Sequence, residues 1–233
     1  MERAMFHPGR LAVFATVLAV ALLAAVAVPA PAADPSDQQR LVDSARRTFQ
    51  HFVNDPDMGW FRDHLKDSKG LLIFPQVWRA AFIFGLEGGN GVLVARNEKT
   101  GKWSDPAFYT MGSGSFGLQV GVQAAEVVLM VRSASGMDSM LGSSFKLGVD
   151  ASVAAGPVGA GVKAKTSDIL AFARAKGVFI GISVDGAVIA TRDKWNSAYY
   201  DKPGVRPLNI LVTRDVRNKK AAPLVQTVTK AAK

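Results

Sequence analysis

Three hydrophobic periods follow one another along this chain. Residues 11–28, LAVFATVLAVALLAAVAV, are continuously apolar and uncharged. Over SDQQRLVDSARRTFQHFV (36–53) the apolar residues Leu41, Val42, Ala45, Phe49, Phe52 and Val53 recur at helical spacing, with Arg40, Arg46, Arg47 and Gln50 mostly on the other side and Ser36 placed to cap the start. A short second helix is expected in NDPDMGWFRDHLKDSKG (54–70). From Gly70 the period becomes two. GLLIF (70–74), AAFIFGLE (80–87) and GVLVAR (91–96) read as strands, the last two joined by a hairpin turn at GGN. AEVVLMVRS (125–133) is apolar on both faces, as a central strand is. SFKLGVDASVA, VGAGVKAK and DILAFARAKGVFIGISVDGAVIA continue the alternation, after a helical turn at GMDSMLG. A short helix near residues 193–200 and a basic, poorly patterned tail complete the chain. Short strands with glycine turns behind N-terminal amphipathic helices predict an α+β fold, a mostly antiparallel β-barrel or sandwich.

The first apolar run changes how the remainder is read. Arg3 and Arg10 precede it, and Ala30 and Ala32 stand at the small positions of an export cleavage site, so residues 1–32 are expected to be a signal peptide, with retention as a membrane anchor the alternative. The remaining residues carry 26 Lys and Arg against 18 Asp and Glu, a formal charge of +8. For an exported protein that charge favours anionic membrane surfaces and leaves little place for nucleic acid. The chain has no cysteine, which removes disulfides, thiolate chemistry and a lipoprotein anchor.

GSGSFG (112–117) has the GxGxxG spacing of nucleotide-binding loops. A dinucleotide loop would open a helix, whereas Phe116, Leu118, Val120 and Val122 alternate with Gly117, Gln119, Gly121 and Gln123 as a strand does. A kinase loop would carry Val where Gln119 stands, and VAIK, HRD and DFG are absent. No nucleotide is therefore expected. Gly117 and Gly121, Gly148 and Ser152, and Gly159 and Gly161 each keep one face of a strand small, which suits a curved sheet or close approach by a ligand or another backbone.

Material for catalysis is sparse. His51 and His64 lie on different helices, and the acids Glu87, Glu126, Asp150 and Asp185 are isolated in sequence. Glu126, at the start of the most apolar strand, needs a partner, and a structural hydrogen bond is the expected one. The expectation is a protein that is not an enzyme, with no metal and no cofactor.

The runs KGLLIFPQVWRAAFIFGLEGGNGVLVAR, GKWSDPAFYTMGSGSFGLQVGVQAAEVVLMV, FKLGVDASVAAGPVGAG and DILAFARAKGVFIGISVDGAVI together resemble the SYLF domain family. The resemblance implies phospholipid binding, notably of phosphoinositides, with an N-terminal amphipathic basic helix touching the membrane; actin binding belongs to the fungal members and is not carried over to an exported chain. It places an amphipathic helix at 33–55, a SYLF domain at 45–212 and a basic tail at 213–233. Arg40, Arg46 and Arg47, with Lys66 and Lys69, are the expected lipid-binding cations, and Trp60 and Phe61 the expected interfacial aromatics. The expected function is binding of phosphoinositide-type or other anionic lipid in the bacterial envelope, the protein being periplasmic or secreted and peripherally membrane-associated. An envelope structural or protein-interaction module, self-associating through the glycine face, is the alternative.

Overall fold

The structure, a computed structural model, describes residues 36–81, 84–116, 121–156, 166–175, 178–180 and 184–233. The expected signal peptide, Gly117 and the GPVGAG stretch beyond Gly156 lie outside the described residues.

Helix α1 (Asp37–Asn54) starts where Ser36 Oγ accepts the Gln39 N–H at 3.3 Å and stops at Asp55-Pro56. Its last carbonyls are satisfied from outside the helix. Arg62, on the short helix α2 (Gly59–His64), donates to Val53 O at 3.2 Å and also to Asp55 O.

Behind these helices lies one curled, mostly antiparallel sheet of nine strands, a half-barrel. Its strands are β1 (Gly70–Ala81), β2 (Phe84–Ala95), β3 (Ala107–Phe116), β4 (Gly121–Val131), β5 (Ser144–Lys146), β6 (Val153–Ala155), β7 (Ile169–Ala175), β8 (Val178–Ile180) and β9 (Val188–Thr191). The order is β5-β9-β3-β2-β1-β4-β7-β6, with β8 on β7, and only β6 runs parallel to its neighbour. Helix α3 (Ala134–Leu141) follows β4, and α4 (Asp193–Tyr199) follows β9.

One end of the sheet is buried on both faces. The rung Phe172, Val128, Ile73, Val92, Phe108 faces α1, α2 and α4: Phe172 packs on Phe61 at 5.0 Å between ring centres, and Phe108 on Tyr199 at 5.0 Å. The opposite face lies under α3, where Tyr109 donates to Met140 O at 2.6 Å. This double burial explains why residues 127–131 read as a continuous apolar run.

GGN forms no turn. Gly88, Gly89 and Asn90 lie within β2, paired to β1 and β3 at once. The cause is in β1, where Pro75 occupies a bulge between Ile73 and Gln76. The bulge drives β1 against β2: a Cβ on Gly89 would lie 2.5 Å from Gln76 O, and one on Gly91 2.6 Å from the Phe74 ring. Glycine is therefore required by close approach within a strand. GSGSF is strand as well, since Gly112 to Phe116 belong to β3, and at Gly112 and Gly114 an added Cβ meets nothing within 4 Å.

The tail is not poorly patterned. Helix α5 (Ala222–Ala231) takes Pro223 in its first turn, buries Leu224 and Val228, and packs beside α1. The segment before it is tied to the sheet side by Asp105 Oδ2, which accepts the Asn218 N–H at 2.9 Å, and by Asn218 Nδ2, which donates to Tyr199 O at 2.7 Å.

Asp168 joins three segments before β7. It accepts from the Ser133 hydroxyl, from Ser152 Oγ at 2.6 Å and from Ser152 N at 3.0 Å, and these bonds hold its carboxyl below the usual carboxylate range. A depressed folded-state value means that its stabilisation is present above the unfolded value and is lost as pH falls through the folded one. Urea unfolding measured from neutral to acidic pH should show a loss of stability below the carboxylate range that Asp168→Asn reduces. Gly91→Ala should cost about 1–3 kcal/mol by overpacking, whereas Gly112→Ala should change stability by less than about 0.5 kcal/mol. Equal midpoints for the two glycine variants would refute the close-approach account.

Candidate functional site

Helix α1 spends its apolar face on the core. Val42, Ala45, Phe49 and Phe52 are buried, so its cations stand at the rim or outside. Arg40 and Arg47, seven residues apart, share the outward side; Arg40 pairs with Asp37, and Arg47 donates to Ser44 Oγ at 2.8 Å. Arg46 lies to one side, in a groove of about 600 Å³ between α1 and α5.

The remaining expected lipid-binding residues do not join them. Phe61 is fully buried against Phe49, Phe52 and Phe172, so it is a core residue and cannot enter a membrane interface. Trp60 is half-buried, stacked on His64 at 3.6 Å between ring centres. Lys66 and Lys69 precede β1, Lys69 paired with Glu98. They stand at the end of β1 opposite the exposed tryptophan, Trp78, roughly 26 Å away along the strand.

Trp78 was not among the expected residues, although it is 50% exposed. It sits opposite Ala124, two residues along β4 from Glu126, and so projects on the face that α1 covers, beyond the helix end. The rung continues through Gly88 and Gly112 to Val188, 44% exposed, and then Lys146. Two apolar side chains thus flank a floor of two glycines, about 14 Å apart by strand spacing. The adjacent rung, Val77, Met111, Ile189 and Phe145, points the other way and is buried. The signal was in the alternation of Gln76, Val77 and Trp78, but the bulge at Pro75 shifts its phase.

A charge network joins α1 to the sheet between these two regions. Arg174 Nε donates to Asp55 Oδ2 at 2.8 Å and Nη1 to Glu126 Oε2 at 3.2 Å. The other oxygen of Glu126 accepts from Thr48 Oγ1 at 2.9 Å and meets His51 Nδ1 at 2.7 Å. Glu126 therefore has the structural partners its position called for. Asp150 accepts Lys146 N at 2.6 Å, capping a turn, and Asp185 packs at Gly148. Among the described residues no group of three or more His, Asp or Glu could hold a metal ion, and no helix is long and apolar enough to cross a membrane.

The described residues thus lay a cationic helix on a half-barrel and join the two through the His51, Glu126, Arg174 and Asp55 network. A family model described as "Ysc84: Las17-binding protein actin regulator" matches residues 112–231, half of the chain. The chain belongs to this family, the SYLF domain its motifs resemble. The match opens at the first glycine of GSGSFG and runs through α5. Among relatives, Protein YSC84 of Saccharomyces cerevisiae is 35% identical over 144 residues, covering 58% of this chain and 30% of that protein. SH3 domain-containing protein PJ696.02 of Schizosaccharomyces pombe is 32% identical over 145 residues, 58% of this chain and 33% of the relative. SH3 domain-containing YSC84-like protein 1 of Homo sapiens is 25% identical over 177 residues, 71% of this chain and 51% of the relative. The chain thus spans about a third to a half of the length of these curated relatives.

Arg174→Ala would leave the carboxylates of Asp55 and Glu126 facing each other without their shared cation in a site where all three side chains are mostly covered. The expected loss is about 3 kcal/mol in denaturant unfolding. His51→Ala, at the exposed edge of the same network, should cost less than about 1 kcal/mol.

Proposed function

We propose that this protein is a non-enzymatic binder of anionic phospholipid, phosphoinositide-type or other, exported to the bacterial envelope and held peripherally at a membrane. The observation that carries this reading is the division of labour in α1: its apolar face is consumed by the core, and Arg40 and Arg47 remain outside as charges the fold does not need for packing. Such a helix meets a membrane electrostatically rather than by burying its own apolar side. Trp78, on the same side of the sheet, replaces Trp60 and Phe61 as the interfacial aromatic.

A second reading has its own observation. The glycine-floored rung between Trp78 and Val188 is a bare sheet face suited to a protein partner or a second copy of the chain, and relatives are named for binding Las17. The two readings separate on lipid dependence: an oligomer indifferent to lipid supports the second.

Sedimentation with vesicles tests the first. Phosphatidylcholine vesicles containing phosphatidylglycerol should retain the protein, pure phosphatidylcholine should not, and added salt should release it. With each exposed basic residue worth on the order of 1 kcal/mol, Arg40→Glu with Arg47→Glu should weaken binding at least about tenfold. Trp78→Ser should also weaken it without lowering the melting temperature. Equal retention by neutral and anionic vesicles would sink the proposal.

A further inference from the structure

We infer that the groove between α1 and α5 is a phosphate site, taking the headgroup of an anionic phospholipid, with Arg46 and Lys230 as its cationic ligands. The inference rests on the lipid-binding reading above and gives it a location that general surface charge does not. Each helix contributes one stripe. Arg46, Phe49, Gln50, Val53 and Asn54 line one wall, and Pro223, Gln226, Thr227, Lys230 and Ala231 line the other, both at the i, i+3, i+4, i+7, i+8 spacing of a single helix face.

The lining chemistry is one-sided. It holds two cations, three carboxamides and no carboxylate, above a floor of Phe49, Val53, Pro223 and Ala231. A concave surface of one sign with apolar walls concentrates its field on an anion. The groove's size, about 600 Å³, falls in the usual range for small-molecule sites and exceeds what a bare phosphate fills. The apolar floor suits the glycerol and first acyl carbons of a lipid.

Arg46 supplies the most specific observation. Its Nη1 donates to Gln50 Oε1 at a long 3.4 Å, while its Nε is enclosed and finds no hydrogen-bond partner among the described residues. The enclosed Nε holds the guanidinium in place as a donor covered by protein, so a phosphate would be met by the outer nitrogens of the fork, whose parallel N–H groups match adjacent phosphate oxygens. Thr227 is already engaged, donating to Pro223 O at 2.7 Å, so the donors left to complete the site are the carboxamides and Lys230. A competing role exists for Lys230, which lies in the last turn of α5 and can neutralise that helix's C-terminus.

The test pairs two equal removals of charge in the full chain: Arg46→Gln with Lys230→Gln, and Arg40→Gln with Arg47→Gln. Nuclear magnetic resonance titration with glycerol 3-phosphate, and separately with inorganic phosphate, should shift the amides of Gln50, Asn54, Gln226 and Lys230 saturably. The groove pair should abolish those shifts and the outer pair should leave them. On phosphatidylglycerol vesicles the groove pair should weaken binding about tenfold more than the outer pair, as the loss of a charge-assisted bond predicts. Arg46→Lys, which keeps the charge but not the fork, should bind between wild type and Arg46→Gln and guards against a folding artefact. Equal vesicle losses for the two pairs, with no saturable shift in the groove, would overturn the site while leaving electrostatic lipid binding standing. Saturable glycerol 3-phosphate binding in the groove without vesicle binding would overturn the lipid source and the reading it rests on. Lower melting temperature in the groove variants with unchanged binding would overturn the site and assign the two cations a purely structural role.

Discussion

The contact on which the structure depends is aromatic. Phe49 and Phe52 of α1 meet Phe61 of α2, and Phe61 and Trp60 meet Phe172 of β7, forming a continuous seam between the helices and the sheet. Aromatic side chains bury large areas, and these lie at or near full burial except for Trp60. The seam has a cost at its border. It brings the end of α1 beside Glu126 and Asp55, and two carboxylates so placed need the guanidinium of Arg174 between them. The packing of apolar rings thus sets where a charge network must stand, and that network orients the final turn of α1 through Thr48 and His51.

The same seam divides the sheet. Where helices cover it, residues 127–131 and 169–173 are buried whichever way they point. Beyond the end of α1, among the described residues, the helix-side rung across β1, β2, β3 and β9 carries Trp78, two glycines and Val188. The chain manages that bare region by keeping it small. Large apolar residues across all four strands would create an exposed patch with the usual consequence of association, whereas glycines separate the two that remain.

What was legible in the sequence was local. The helical period of 36–53 and its Ser36 cap needed only neighbouring residues, and so did the strand reading of GSGSF, which lies in β3. The doubly apolar run at 127–131 likewise announced a central strand. The failures are non-local. GGN looks like a turn because glycine and asparagine favour one, but Gly89 and Gly91 answer to a bulge at Pro75 on another strand. Trp60 and Phe61 are adjacent aromatics, and nothing in their spacing says which turns toward Phe172. Helix α5 was hidden by its brevity and by Pro223, which reads as a breaker unless it falls in the first turn, where it is tolerated. With α5 hidden, the second wall of the Arg46 groove was hidden too.

Glycines of one chain can therefore have opposite physical causes, and GSGSFG shows why spacing alone does not separate them. Gly89 and Gly91 are small because something is against them, while Gly112 and Gly114 are small with nothing within 4 Å of a Cβ. In the first case a side chain is excluded by contact, and stability enforces the residue. In the second, nothing within 4 Å excludes a Cβ, so packing alone would accept alanine. Gly112 shares its rung with Trp78, and Trp78 shares its side of the sheet with the residues that anchor α1. The cationic helix and the low, glycine-floored rung therefore face the same way, and a single broad surface pressed against that side would meet both.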